Sequence, residues 1–100
     1  MHELRKRQTT TRFDLDAIRS RFPALAVADD GQPRIYLDNP AGTQVPQSVI
    51  DRMADCLVNT NANLGGYFVT SQRADAIVDE ARQAMADLLN APSADEIIFG

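Results

Sequence analysis

Apolar residues recur at helical spacing twice along the chain. From residue 46, Pro46, Val49, Ile50, Met53, Cys56 and Leu57 fall on one arc at 100° per residue. Gln47, Ser48, Asp51, Arg52, Asp55 and Asn59 lie opposite, and only Val58 is out of place. Further on, Ala74, Ile77, Val78, Ala81, Ala84, Met85, Leu88 and Leu89 fill one arc that holds no polar residue. The pattern predicts amphipathic helices over about 46–58 and 71–89. Pro46 suits a first helical position, Thr70 or Ser71 is placed to cap the second helix, and Asn90 and Pro92 end it. A shorter helix is expected over about 14–21. Asp14 can accept hydrogen bonds from its first turn, and Phe13 and Ile18 have staple spacing. Pro23 stops it, because the residue before a proline disfavours helical geometry.

Two segments read as strands, about 34–37 (Arg34-Ile35-Tyr36-Leu37) and about 96–99 (Glu96-Ile97-Ile98-Phe99). Between the first helix and the first strand, Asp29 to Pro33 form a turn with Gly31 as its left-handed residue. The apolar run 97–99 is continuous rather than alternating, as in parallel strands covered on both faces. Such a strand needs neighbours that one other short strand cannot supply. Ser93 and Glu96 have capping-box spacing for a single turn before it. The element set is therefore part of a larger α/β domain, incomplete by itself. There is no internal repeat and no low-complexity segment.

Charge is unevenly placed. Arg5, Lys6, Arg7 and Arg12 against Glu3 give the first twelve residues a net +3, so the rest carries −7 of a total −4. Residues 1–12 are read as a disordered basic tail. It lacks aromatic residues to stack on bases, and an acidic body repels phosphates, so nucleic acid is not expected as a partner. No apolar run approaches the ~20 residues that span a bilayer, so no membrane association is expected and a cytoplasmic location is the default. The single cysteine, Cys56, excludes an intrachain disulfide and is read as a small core residue. His2 is the only histidine, which leaves no histidine cluster for a metal and no Ser–His pair.

The run Ile35-Tyr36-Leu37-Asp38-Asn39-Pro40-Ala41-Gly42-Thr43-Gln44-Val45-Pro46 resembles the opening "YLDNAA…P" motif of class V aminotransferases and cysteine desulfurases. The similarity continues through Val49-Ile50-Asp51, Ala81-Arg82 and Asp95-Glu96-Ile97-Ile98-Phe99, covering about residues 22–100. Asn61-Ala62-Asn63-Leu64-Gly65-Gly66 and the Gly-Thr-Gln-Val-Pro run look most like the cysteine desulfurase-like subgroup.

The resemblance implies the N-terminal part of a fold-type-I enzyme that uses pyridoxal 5′-phosphate (PLP), a homodimer acting on a small amino-acid substrate. Residues 13–100 would be the first segment of its aminotransferase class V domain, ending before the phosphate-binding loop. It also implies that Asn39, Ala41, Gly42 and Thr43 lie where the backbone approaches a substrate carboxylate. The compatible alternative is a tight strand-to-helix connection that needs Gly42 for its shape. The loop carrying Asn61, Asn63, Gly65, Gly66 and Phe68 would reach toward the partner subunit's active site, against the alternative of a flexible helix–helix connection.

Relatives in this family often carry a histidine where this chain has Phe68, which weakens the case for sulfur chemistry. PLP enzymes hold the cofactor on a lysine and orient its ring nitrogen with a carboxylate. The only lysine is Lys6, ahead of every predicted element, and Cys56 does not match the desulfurase nucleophile. No catalytic, cofactor-binding or metal-binding residue is thus expected within the chain, and the 100 residues alone should be inactive. Bound PLP acts as an electron sink at the substrate's α-carbon, in C–S cleavage or in amino-group transfer. The rival reading is a small helical protein-interaction module, which would leave Ile97, Ile98 and Phe99 exposed.

Overall fold

The computed structural model describes residues 12–100, so the basic tail lies outside the described residues except for Arg12. The chain divides into two compact units, one up to Val49 and one of Ile50–Gly100. The described residues are mainly helical, with one two-stranded sheet.

In the first unit, α1 spans Leu15–Arg19. Asp14 caps it as predicted: its carboxylate accepts the Ala17 N–H at 3.0 Å. Phe13 is largely exposed, so its staple spacing with Ile18 is not used to bury it. Phe22 is extended (φ −107°, ψ 102°) ahead of a 3-10 turn over Pro23–Ala26, which is the break that Pro23 dictates. A hairpin follows, β1 (Ala28–Asp29) pairing antiparallel with β2 (Gln32–Pro33). Its two loop residues, Asp30 and Gly31, both have positive φ (51° and 77°), the geometry whose twist matches a tight hairpin. Arg34 braces it, donating from Nε and Nη2 to the Asp29 carboxylate at 2.6 and 2.9 Å.

The second unit is built on two long helices. Helix α2 spans Gln47–Asn59, beginning just before the division between the units, and α3 spans Val69–Leu89. The predicted 46–58 is thus displaced by one residue. Asn90 ends α3 in the left-handed conformation (φ 54°, ψ 40°). The Ala91 N–H bonds to the Ala86 carbonyl (2.8 Å) and the Asn90 N–H to that of Asp87 (3.3 Å), a Schellman arrangement. Ala86 is 2% exposed, although it stands outside the predicted apolar stripe. Ala74 and Ala86 are the only buried apolar side chains among the described residues. The stripe itself is half-buried along Ile77, Val78, Ala81 and Met85 and exposed at Ala84, Leu88 and Leu89.

Three expectations are corrected. Neither 34–37 nor 96–99 forms a strand: Arg34–Leu37 is irregular, and Ala94–Glu96 is a 3-10 turn followed by irregular chain. The cause is pairing. A strand's N–H and C=O groups need a neighbour, and the described residues offer these segments none. In the second segment Ile97 is already extended (φ −90°, ψ 119°). Ile35, Leu37 and Ile98 are consequently 80%, 90% and 88% exposed. The α3 cap also differs. The helix starts at Val69, two residues early, so Thr70 and Ser71 lie inside its first turn and Phe68 stands at the cap position without a side-chain hydrogen bond. Finally, Ser93 accepts from Asp95 N–H at 3.1 Å, a short local turn rather than a reciprocal box with Glu96. The mixed helical chain with its small sheet is compatible with part of an aminotransferase domain.

Candidate functional site

Two segments carry the predicted site residues, one in each unit. In the first, Asn39–Ala41 form a single 3-10 turn closed by hydrogen bonds from Ala41 N–H to the Asp38 carbonyl (3.1 Å) and from Gly42 N–H to the Asn39 carbonyl (3.0 Å). Pro40 fits this turn because its fixed φ is the turn's own. Gly42 then takes φ 148°, ψ 118°, a backbone that residues with a Cβ rarely adopt. No atom outside its immediate neighbours lies within 4 Å of a Cβ built there. Its requirement for glycine is therefore conformational within this unit, while the open space leaves room for a molecule to approach the backbone.

Asn39 and Thr43 border an open cleft of about 210 Å³ whose walls include Ile18, Phe22, Leu25 and Tyr36. The half-buried Tyr36 is held there by donating its hydroxyl to the Ala24 carbonyl at 3.2 Å. The Gln47 N–H, at the start of α2, donates to the Arg21 carbonyl at 2.8 Å. The segment is thus framed by aromatic and aliphatic side chains, with the neutral Asn39, Thr43 and Gln44 and the cationic Arg19 also on the cleft wall. Ala41 is exposed beside them.

In the second unit, the loop of residues 60–68 joins α2 to α3. Thr60 ends α2, its hydroxyl donating to the Cys56 carbonyl at 3.1 Å and to Cys56 Sγ at 3.3 Å. Cys56 is half-buried, not in the core as the sequence suggests. Asn61 and Asn63 are exposed. Gly65 has φ 78°, and its N–H points to the Asp75 carboxylate at 3.2 and 3.4 Å. The Gly66 N–H donates to Ser71 Oγ at 2.7 Å, and that hydroxyl donates to the Asn63 carbonyl at 2.5 Å. Gly66 is also where a Cβ would not fit, lying 2.8 Å from Ser71 Oγ and 3.1 Å from the Phe68 ring. Tyr67 and Phe68 project outward, 96% and 74% exposed. Ser71 and Asp75 were not among the predicted site residues. A serine or threonine ahead of an apolar run reads first as a helix cap, and only the folded loop shows the hydroxyl turned back onto Asn63 and Gly66.

The sequence profile of the family described as aminotransferase class-V matches residues 35–100. The chain belongs to that family. The matched range takes in both segments, the class-V motif from Ile35 and the loop before α3. Among curated relatives, the chain is 42% identical over 89 residues to a probable cysteine desulfurase of Mycolicibacterium paratuberculosis. It is 41% identical over 89 residues to a probable cysteine desulfurase of Streptomyces coelicolor, and 41% over 88 to a cysteine desulfurase of Serratia proteamaculans. Each alignment covers 87% of this chain but only 13%, 21% and 22% of the respective relative. The chain thus spans less than a quarter of the length of these relatives.

The class-V residues present here do not by themselves fit a covalently held PLP. The described residues contain no lysine, and no group of His, Cys, Asp and Glu among them is arranged to hold a metal ion. Among the described residues no helix is long and apolar enough to cross a membrane. What the two segments offer is shape: a glycine-dependent turn beside a small cleft, and a loop fixed at its base with two aromatic rings outward.

Proposed function

We propose that this chain is the N-terminal segment of a PLP-dependent enzyme, built on a fold-type-I domain and acting on an amino acid. The observation that carries the proposal is the identity of about 40% to cysteine desulfurases along 87% of the chain. In the whole protein, PLP would be attached to a lysine outside these 100 residues, since Lys6 precedes every helix and strand described. The chain's own contribution is to binding. The Asn39–Thr43 turn offers backbone and two neutral polar side chains to a small substrate, and the 61–68 loop offers an outward aromatic edge. A homodimer in the cytoplasm is the setting this reading carries with it.

Cysteine is the first candidate substrate, because the relatives named above are described as cysteine desulfurases or probable cysteine desulfurases. A second reading, transfer or elimination at another amino acid, is favoured by Phe68, which puts a ring with no ionisable group where the family often has a histidine. The two are separated by incubating the full-length protein and PLP with cysteine and with a panel of other amino acids, a 2-oxo acid being supplied as amino-group acceptor. Alanine and, under a thiol reductant, sulfide identify desulfuration. A keto acid from another amino acid identifies the second reading. A folded protein that consumes no amino acid rejects both.

A further inference from the structure

Ser71 is completely buried, with no exposed surface. Its hydroxyl is used in both directions, accepting from Gly66 N–H at 2.7 Å and donating to the Asn63 carbonyl at 2.5 Å. A second tie runs alongside, from Gly65 N–H to the Asp75 carboxylate one helical turn further on. Gly66 allows this closeness, since a Cβ there would lie 2.8 Å from Ser71 Oγ. The three loop residues Asn63, Gly65 and Gly66 are thereby bonded to the first two turns of α3, a rigid element. Immediately after the tied residues come Tyr67 and Phe68, with their rings in solvent.

We propose that Ser71 is a positioning residue, fixing the backbone of Asn63–Gly66 so that Tyr67 and Phe68 are presented in one defined place, with Asp75 as the outer tie. This rests on the reading above that the 61–68 loop serves an active site. Backbone amides at the base of a mobile connection are satisfied by water. Here one is satisfied by a hydroxyl with no water access, and losing that hydroxyl leaves the Gly66 N–H and the Asn63 carbonyl without their partner. The loop's geometry is therefore a property of α3 and is set before any ligand arrives.

The test uses the full-length protein and its Ser71→Ala variant, with amide hydrogen exchange, melting temperature and steady-state kinetics measured on the same preparations. Exchange across residues 63–68 should accelerate about tenfold or more in the variant while exchange within 76–86 stays unchanged. At a temperature well below the variant's melting point, kcat/KM should fall about tenfold, a change that mere loss of helix stability would not produce in the folded fraction. Unchanged loop exchange, or kcat/KM within about twofold of the parent with a lowered melting temperature, overturns the proposal. If Ser71→Ala does not fold, Asp75→Ala decides. Faster exchange at Gly65 together with reduced kcat/KM supports the tie, and parental values of both overturn it. A wild-type protein that turns over no amino acid sinks the functional reading alone, and loop exchange then decides the positioning role by itself.

Discussion

The Ser71 hydroxyl accepts the Gly66 N–H at 2.7 Å, and a Cβ on Gly66 would stand 2.8 Å from the same oxygen. The hydrogen bond and the glycine depend on each other: the bond requires an approach that no other residue at 66 allows. Gly66→Ala should therefore destabilise the full-length protein by about 1–3 kcal/mol through overpacking. The measurement is thermal unfolding beside Gly65→Ala, which meets open space but carries a φ of 78°. The Gly66 cost arises from contact and the Gly65 cost from conformation. Adding Ser71→Gly should relieve the former and leave the latter.

Gly42 poses the converse case. The family resemblance places Gly42 where the backbone approaches a substrate, and a branched side chain there would intrude on it. The observed φ of 148° adds a conformational cost of about 1–3 kcal/mol in open space. Gly42→Ala and Gly42→Val should thus lower the melting temperature by similar amounts. If substrate approaches the backbone here, kcat/KM of the folded fraction falls well further for Val than for Ala. Equal kcat/KM for the two variants would reduce Gly42 to a shape requirement.

The hairpin pair Asp29–Arg34 makes a pH prediction. The Arg34 hydrogen bond holds the Asp29 carboxyl below its ordinary range, and the Asp29 hydrogen bond raises Arg34. The folded carboxyl is the depressed one, so its stabilising effect is fully present above about pH 4 and is lost as pH falls through the lowered value. Both groups are exposed to solvent, so the effect on global melting should be small. A carboxyl-detected NMR titration should show Asp29 titrating low in the parent and in the ordinary range in Arg34→Ala.

The isolated 100-residue chain should self-associate. Ile35, Leu37 and Ile98 are solvent-exposed in segments that lack strand partners, and the α2 residues Met53, Leu57 and Val58 are exposed as well. Sedimentation should reveal oligomers that grow with concentration. A monodisperse monomer with a cooperative thermal transition would contradict this.

The helices were legible in the sequence because their information is local. The Asp14 cap, the Pro23 stop, the 3.6-residue stripes and the left-handed Asn90 each act within a few residues. The segments at 34–37 and 96–99 failed for the opposite reason, since a strand is a relation between two stretches of chain and β-like composition supplies only one side. The hairpin was half legible. Gly31 was expected to be left-handed, but the pairing of Ala28 with Pro33 depends on Asp30 adopting positive φ as well. At the candidate site, Asn39–Thr43 and Asn61–Phe68 were marked by resemblance, and the structure gave each a local geometry. The role of Ser71 could not be read in advance, because its hydroxyl reaches back across a loop whose course no periodicity describes.

The most direct test of the proposed function is to incubate the full-length protein with PLP and either cysteine and a thiol reductant or another amino acid and a 2-oxo acid acceptor, then locate the cofactor by borohydride reduction and peptide mapping. The expected result is release of alanine and sulfide, or keto acid from another amino acid in the second reading, with PLP stoichiometrically linked to a lysine outside these 100 residues. A folded protein that binds no PLP and consumes neither cysteine nor any other amino acid would contradict it.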